Sequence, residues 1–104
     1  MEPSLSDTIR MILHWADHRN LVLGSTRQAQ MVKLTEEVGE LAGGIAKNNH
    51  EKIVDSIGDA LVVLAILASQ SETTLSECAY KAYLEIKDRK GKMVDGIFVK
   101  EQDL

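Results

Sequence analysis

From Ala60 to Ala68 the chain runs through nine consecutive apolar residues, Ala-Leu-Val-Val-Leu-Ala-Ile-Leu-Ala. Wound as an α-helix, this run is apolar all the way round, the pattern of a helix enclosed by other protein. It has about half the length that a bilayer-spanning helix needs, so it reads as a core segment with no membrane partner. The rest of the fold must then be built to surround it. Only Trp15, Tyr80, Tyr83 and Phe98 are aromatic, so aliphatic side chains fill the core, which suits packed helices better than a β-sandwich.

Three further periodic segments accompany it. Ser6 is placed to cap a first helix over about residues 5–23, with Leu5, Ile9, Ile12, Leu13 and Ala16 at helical spacing and Gly24 at its end. Ser25 with Gln28 has the form of a capping box and opens helix 2 over about residues 26–47. Its stripe is Met31, Leu34, Val38, Leu41 and Ile45, broken at Asn48 and Asn49. Asn49 or His50 opens helix 3, about residues 51–70, through Ile53, Ile57, Leu61, Leu64 and Ala68. Thr74 with Glu77 forms another box, and helix 4 continues through Ala79, Tyr83 and Ile86 to a basic last turn ended by Gly91. Asp95-Gly96 between Met93-Val94 and Ile97-Phe98-Val99 is a hairpin signal. The expectation is an all-α antiparallel four-helix bundle with a short C-terminal hairpin or tail, one domain over residues 1–104.

Charge and cysteine usage narrow the function classes. Sixteen acidic against twelve basic side chains leave a net charge of −4, with no general field for phosphate backbones and no aromatic platform for bases, so no nucleic-acid partner is expected. Cys78 has no internal disulfide partner, and Met1-Glu2-Pro3-Ser4 lacks the basic and apolar regions of a secretion signal. The expected address is cytoplasmic. An all-round apolar helix in a bundle of only four helices has more apolar surface than one layer covers, so self-association is expected, with a homodimer as the minimum.

Helix 2 carries Glu36, Glu37 and Glu40 in one sector, with Lys33 and Lys47 on the same side. Taken alone, this is a solvated charged face. Helix 3 changes that reading. Asp55 and Asp59 lie one turn apart on it, and Asp59 projects between Val63 and Ile66, so its carboxylate points inward or into a cleft. No Lys or Arg occurs between Lys52 and Lys81 to pair with it locally. A buried carboxylate without a partner is costly, which leaves a basic residue from another helix or a bound cation. If the two acidic faces meet, each close pair repels by up to about 4 kcal/mol at 4 Å with an effective dielectric near 20. Oxygen ligands without Cys or His favour a hard cation, Mg²⁺ above all, with Mn²⁺ as a substitute.

The segment Leu34-Thr35-Glu36-Glu37-Val38-Gly39-Glu40-Leu41, followed by Asp55-Ser56-Ile57-Gly58-Asp59-Ala60-Leu61, resembles the two-helix motif of the MazG-type all-α nucleoside triphosphate pyrophosphohydrolases. That family pairs Glu-x-x-Glu on one helix with Glu-x-x-Asp on the next, and the resemblance covers roughly residues 28–70. Ile86-Lys87-Asp88-Arg89-Lys90-Gly91-Lys92-Met93 is similar to the short members often carried by bacteriophages. The resemblance implies metal ligands at Glu37, Glu40 and Asp59, with Glu36 as a catalytic acidic residue that orients water. One position departs, because the second-helix Glu falls on Ser56. Either Asp55 substitutes for it, or the protein holds its metal with one carboxylate fewer. The resemblance also allows a dimer of dimers.

The remaining candidates carry weaker signals. Lys87 and Arg89, with Lys90 and Lys92, complement the negative pole of helix 4 or clamp a leaving pyrophosphate. Trp15 stacks on a base or packs into a subunit interface. His14 and His18 are one turn apart without a third ligand, and Gly43-Gly44 permits close helix packing. The reading is a Mg²⁺-dependent enzyme releasing nucleoside monophosphate and pyrophosphate from a deoxy or noncanonical nucleoside triphosphate. Its reaction and substrate are implied by the resemblance. The rival is a noncatalytic helical interaction or regulatory protein whose acidic cluster is a remnant, with Ser56 as the sign of decay.

Overall fold

The computed structural model describes residues 1–104. Four helices follow one another, α1 (Leu5–His18), α2 (Arg27–Ala46), α3 (His50–Gln70) and α4 (Leu75–Ile86), before strands β1 (Gly91–Val94) and β2 (Ile97–Lys100) and a final 3₁₀ turn, Glu101–Asp103. The expected all-α architecture with a C-terminal hairpin is the one observed. α2 and α3 form an antiparallel helical hairpin, and α1 and α4 pack on α3.

Side chains define the helix starts. Ser4, Thr26, Asn49 and Thr74 each accept the backbone N–H three residues on, at 3.0–3.2 Å. Two expected caps are thereby corrected, Ser4 for Ser6 and Thr26 for Ser25. Ser25 Oγ instead accepts from Gln30 Nε2 at 3.0 Å. At the helix ends, Asn20, Asn48 and Glu72 take the left-handed conformation, with φ of 57°, 51° and 61°. In each case the next N–H reaches back to the carbonyl five residues earlier, as in Leu21 to Ala16, Asn49 to Gly44 and Thr73 to Ala68. Helix 1 therefore stops at His18, short of the expected residue 23, because Asn20 supplies the left-handed turn before Gly24 is reached.

Helix 4 also ends early, at Ile86, with Lys87 as its C-cap, so Arg89, Lys90 and Lys92 lie beyond the helix. Gly91 opens β1 because a Cβ there would collide with the Val99 carbonyl and the Phe98 ring. The hairpin register pairs Met93 with Phe98 and Val94 with Ile97. Its Asp95-Gly96 turn has φ of 50° and 81°, the type I′ geometry that the sequence predicts.

The face of α2 turned to α3 is not the expected stripe. Gln30, Glu37 and Gly44 are buried, Leu34 and Leu41 are half-buried, and Met31, Val38 and Ile45 are exposed. Gly44 permits this rotation, because a Cβ there would stand only 3.3 Å from the backbone nitrogen and Cγ1 of Ile53, closer than side chains normally pack. On α3, Ser56, Val63, Ala65, Ile66 and Ala68 are buried, whereas Ile57 and Leu64 are exposed. The apolar run is thus only partly enclosed by its own chain. α3 is long and apolar enough to cross a membrane by length and composition, and it packs against the three other helices.

Candidate metal centre

The turn Lys47–Asn49 folds α3 back along α2, which sets the acidic sectors of the two helices side by side. Glu37, Glu40 and Asp59 come together there, each offering one carboxylate oxygen within 4.8 Å of the other two. Oxygens sharing a Mg²⁺ ion at 2.0–2.1 Å lie at most about 4.2 Å apart, and those sharing Ca²⁺ up to about 5 Å apart. Glu40 and Asp59 are the two exposed members, so their side chains are not locked by packing.

The buried member is Glu37, at 6% exposure. One of its oxygens, Oε2, has no hydrogen-bond partner. Burial, followed by the charges of Glu40 and Asp59, pushes its carboxyl above its ordinary pKa, Lys33 pulls it the other way, and Glu36 adds a smaller push upward. Lys33 Nζ stands 3.4 Å from Glu36 Oε2 and 3.9 Å from Glu37 Oε1. A buried carboxylate with one unpartnered oxygen, clustered with two further carboxylates, is a donor set suited to a hard divalent cation.

Of its two expected settings, the interior or a cleft, Asp59 takes the cleft. Val63 and Ile66 are buried, but Asp59 is exposed and opens into a cleft of about 390 Å³ shared with Thr8, Met11, Ile12 and Trp15 of α1 and with Val62. The desolvated carboxylate inferred for Asp59 is therefore found at Glu37. Trp15 is brought to the same cleft as Asp59, with the Arg19 guanidinium 4.7 Å from its ring centre.

Asp55 and Ser56 are not part of the three-carboxylate cluster. They line an adjoining polar cavity of about 320 Å³ with Glu40, Asn49, Glu51 and Lys52. Ser56 is buried. Glu36 stays on the exposed side of the cluster, held by Lys33. Lys87 and Arg89 are not brought to the carboxylates within one chain. Lys87 Nζ lies 3.8 Å from Asp88 Oδ2, and Arg89 lines a separate cavity with Glu85, Asp88, Lys90, Glu101 and Gln102. The α1 wall of the cleft, Thr8, Met11 and Ile12, carries no acidic or motif-like signal, and only the packing of α1 on α3 identifies it.

Fold and site together define an all-α protein whose helical hairpin presents a carboxylate cluster suited to a divalent cation. The chain belongs to the MazG family, since the MazG nucleotide pyrophosphohydrolase domain matches residues 25–93. It is also 54% identical over 67 residues to a protein of Haemophilus phage HP1, described as an uncharacterized 18.2 kDa protein of the rep-hol intergenic region. That alignment covers 64% of this chain and 41% of the phage protein. No solved structure matches the chain.

Proposed function

We propose that the chain is a Mg²⁺-dependent nucleoside triphosphate pyrophosphohydrolase that releases nucleoside monophosphate and pyrophosphate from a deoxy or noncanonical substrate. The observation that carries this reading is the buried Glu37 carboxylate, one oxygen unpartnered, clustered with Glu40 and Asp59 in a MazG chain. Glu37, Glu40 and Asp59 would hold the ion, and Asp55, which lines the adjoining cavity with Glu40 and Ser56, would serve a second one. When bound, a divalent ion neutralises triphosphate charge and polarises the phosphoryl oxygens.

The chain's own groups supply the rest. Glu36, on the exposed side, accepts a hydrogen bond from the water that attacks the α-phosphorus in line with the departing pyrophosphate. Trp15, one face covered by Arg19, offers its remaining surface to the base in the cleft that ends at Asp59. Lys87 and Arg89 remain the proposed pyrophosphate clamp, which in this geometry requires the basic segment of a second copy. We read residues 1–104 as one helical domain, soluble and cytoplasmic, working as a homodimer or a dimer of dimers.

Pyrophosphate release from a panel of canonical and modified nucleoside triphosphates, with Mg²⁺, Mn²⁺ or chelator, tests the reading. Metal-dependent release that is abolished in Asp59→Asn is expected. The same titration raises thermal stability by about 2.7 kcal/mol at a hundredfold excess of Mg²⁺ over its dissociation constant. No release from any nucleotide, with melting unchanged by Mg²⁺, would favour the noncatalytic alternative.

A further inference from the structure

The carboxylate cluster has one positive neighbour. Lys33, one turn before Glu37 on α2, contacts both Glu36 and Glu37, and no other basic side chain forms an ion pair with Glu36, Glu37, Glu40 or Asp59. Its ammonium is exposed and sits on a flexible stem, so it can leave the cluster without disturbing the packing of α2 on α3. It reaches Glu37 through Oε1, while Oε2 of the same carboxylate is buried and unpartnered.

We infer that Lys33 is the resident counter-cation of the metal-free centre, with which a divalent ion competes for the carboxylates. This inference rests on the metal reading above. Without metal, Lys33 offsets part of the repulsion among Glu36, Glu37, Glu40 and Asp59. Once a divalent ion binds, it cancels about two of those negative charges and itself repels the ammonium, so the attraction holding Lys33 weakens. Lys33 therefore stabilises the empty centre more than the filled one. By linkage, its removal must lower the stability of the metal-free protein and tighten metal binding. A merely structural lysine would move both quantities in the unfavourable direction. The consequence for function is a centre whose Mg²⁺ affinity is lower than the carboxylates alone would give.

The test compares wild type with Lys33→Arg, Lys33→Met and Lys33→Glu. Melting temperature is read in chelator, and the Mg²⁺ dissociation constant by titration calorimetry at low and high salt. Lys33→Met is expected to melt lower without metal and to bind Mg²⁺ about three- to tenfold more tightly at low ionic strength, the difference shrinking in high salt. Lys33→Glu extends both trends, and Lys33→Arg matches wild type. If wild type binds Mg²⁺ while Lys33→Met and Lys33→Glu bind it no more tightly, the counter-cation role is overturned and the metal centre stands. If wild type binds no divalent ion, with or without nucleotide, both are overturned together.

Discussion

The Glu37 carboxylate is buried beside Glu40 and Asp59 with one oxygen unpartnered, so ionising it costs more in the folded chain than in the unfolded one. Its folded pKa therefore lies above the ordinary value of 4.5. For a group raised in this way, the unfolded chain ionises first as pH rises. The contribution of Glu37 to stability is then fully present below the ordinary value and is lost as pH climbs through the raised one. Glu37→Gln keeps the shape and removes the charge. In chelator, the variant should melt above wild type at pH 8, and the two should converge near pH 4. A thermal scan across pH checks this, and a wild type that melts higher than the variant at pH 8 would contradict the assigned desolvation. With Mg²⁺ the order should invert, because only wild type keeps the full ligand set, and hydrolysis by the variant should fall at least about 100-fold.

The α2–α3 hairpin depends on one of its two adjacent glycines. A Cβ at Gly44 would stand 3.3 Å from both the backbone nitrogen and Cγ1 of Ile53, whereas one at Gly43 would meet nothing within 4 Å. Gly44→Leu should therefore force the helices apart and cost about 1–3 kcal/mol. Gly43→Ala should gain about 0.5–1 kcal/mol, by relieving the helix of a flexible residue. Urea unfolding of the two variants measures both signs. Helix existence and the hairpin were legible in the sequence because caps, periodicity and Asp95-Gly96 are local signals. The end of α1 was not, since Asn20 and Gly24 are both plausible terminators and the choice falls to tertiary contacts such as Gln70 Nε2 on the Val22 carbonyl, 3.1 Å. The rotation of α2 was hidden for a related reason. Hydrophobicity points to Met31, Val38 and Ile45, but Gln30 is satisfied by Ser25 and Gly44 admits Ile53, so the less apolar row turns inward. The meeting of Glu37 and Glu40 with Asp59 could be expected from their spacing on two successive helices. Which of them is desolvated depended on that rotation.

The chain as a whole is more open than its size requires. Its accessible surface is 8068 Å², against about 5,800 Å² for a compact monomer of 11.5 kDa. Its radius of gyration is 16.2 Å, against about 13 Å for a compact domain of this length. Much of the excess is apolar. Leu5 and Ile9 of α1, Ile57, Leu61 and Leu64 of α3, and Leu75 of α4 line an open groove of about 660 Å³, and Met31, Val38 and Ile45 form a second exposed row on α2. A surplus of roughly 2,200 Å² per chain would bury about 4,500 Å² in total if a dimer hid all of it, within the range of obligate interfaces. Two distinct apolar rows could also divide the burial between two interfaces, as a dimer of dimers does. Sedimentation at micromolar concentration should therefore find no folded monomer. Ile57→Glu, which sets a charge among the groove's leucines, should weaken association by about 100-fold or more and lower the melting temperature together with it, because α3 loses its cover when the subunits part. Concentration dependence separates this from a local packing defect. The loss in melting temperature should shrink as protein concentration rises, whereas a defect internal to one chain would leave it constant. A monomeric Ile57→Glu variant that melts like wild type would show that α3 needs no second copy to cover it.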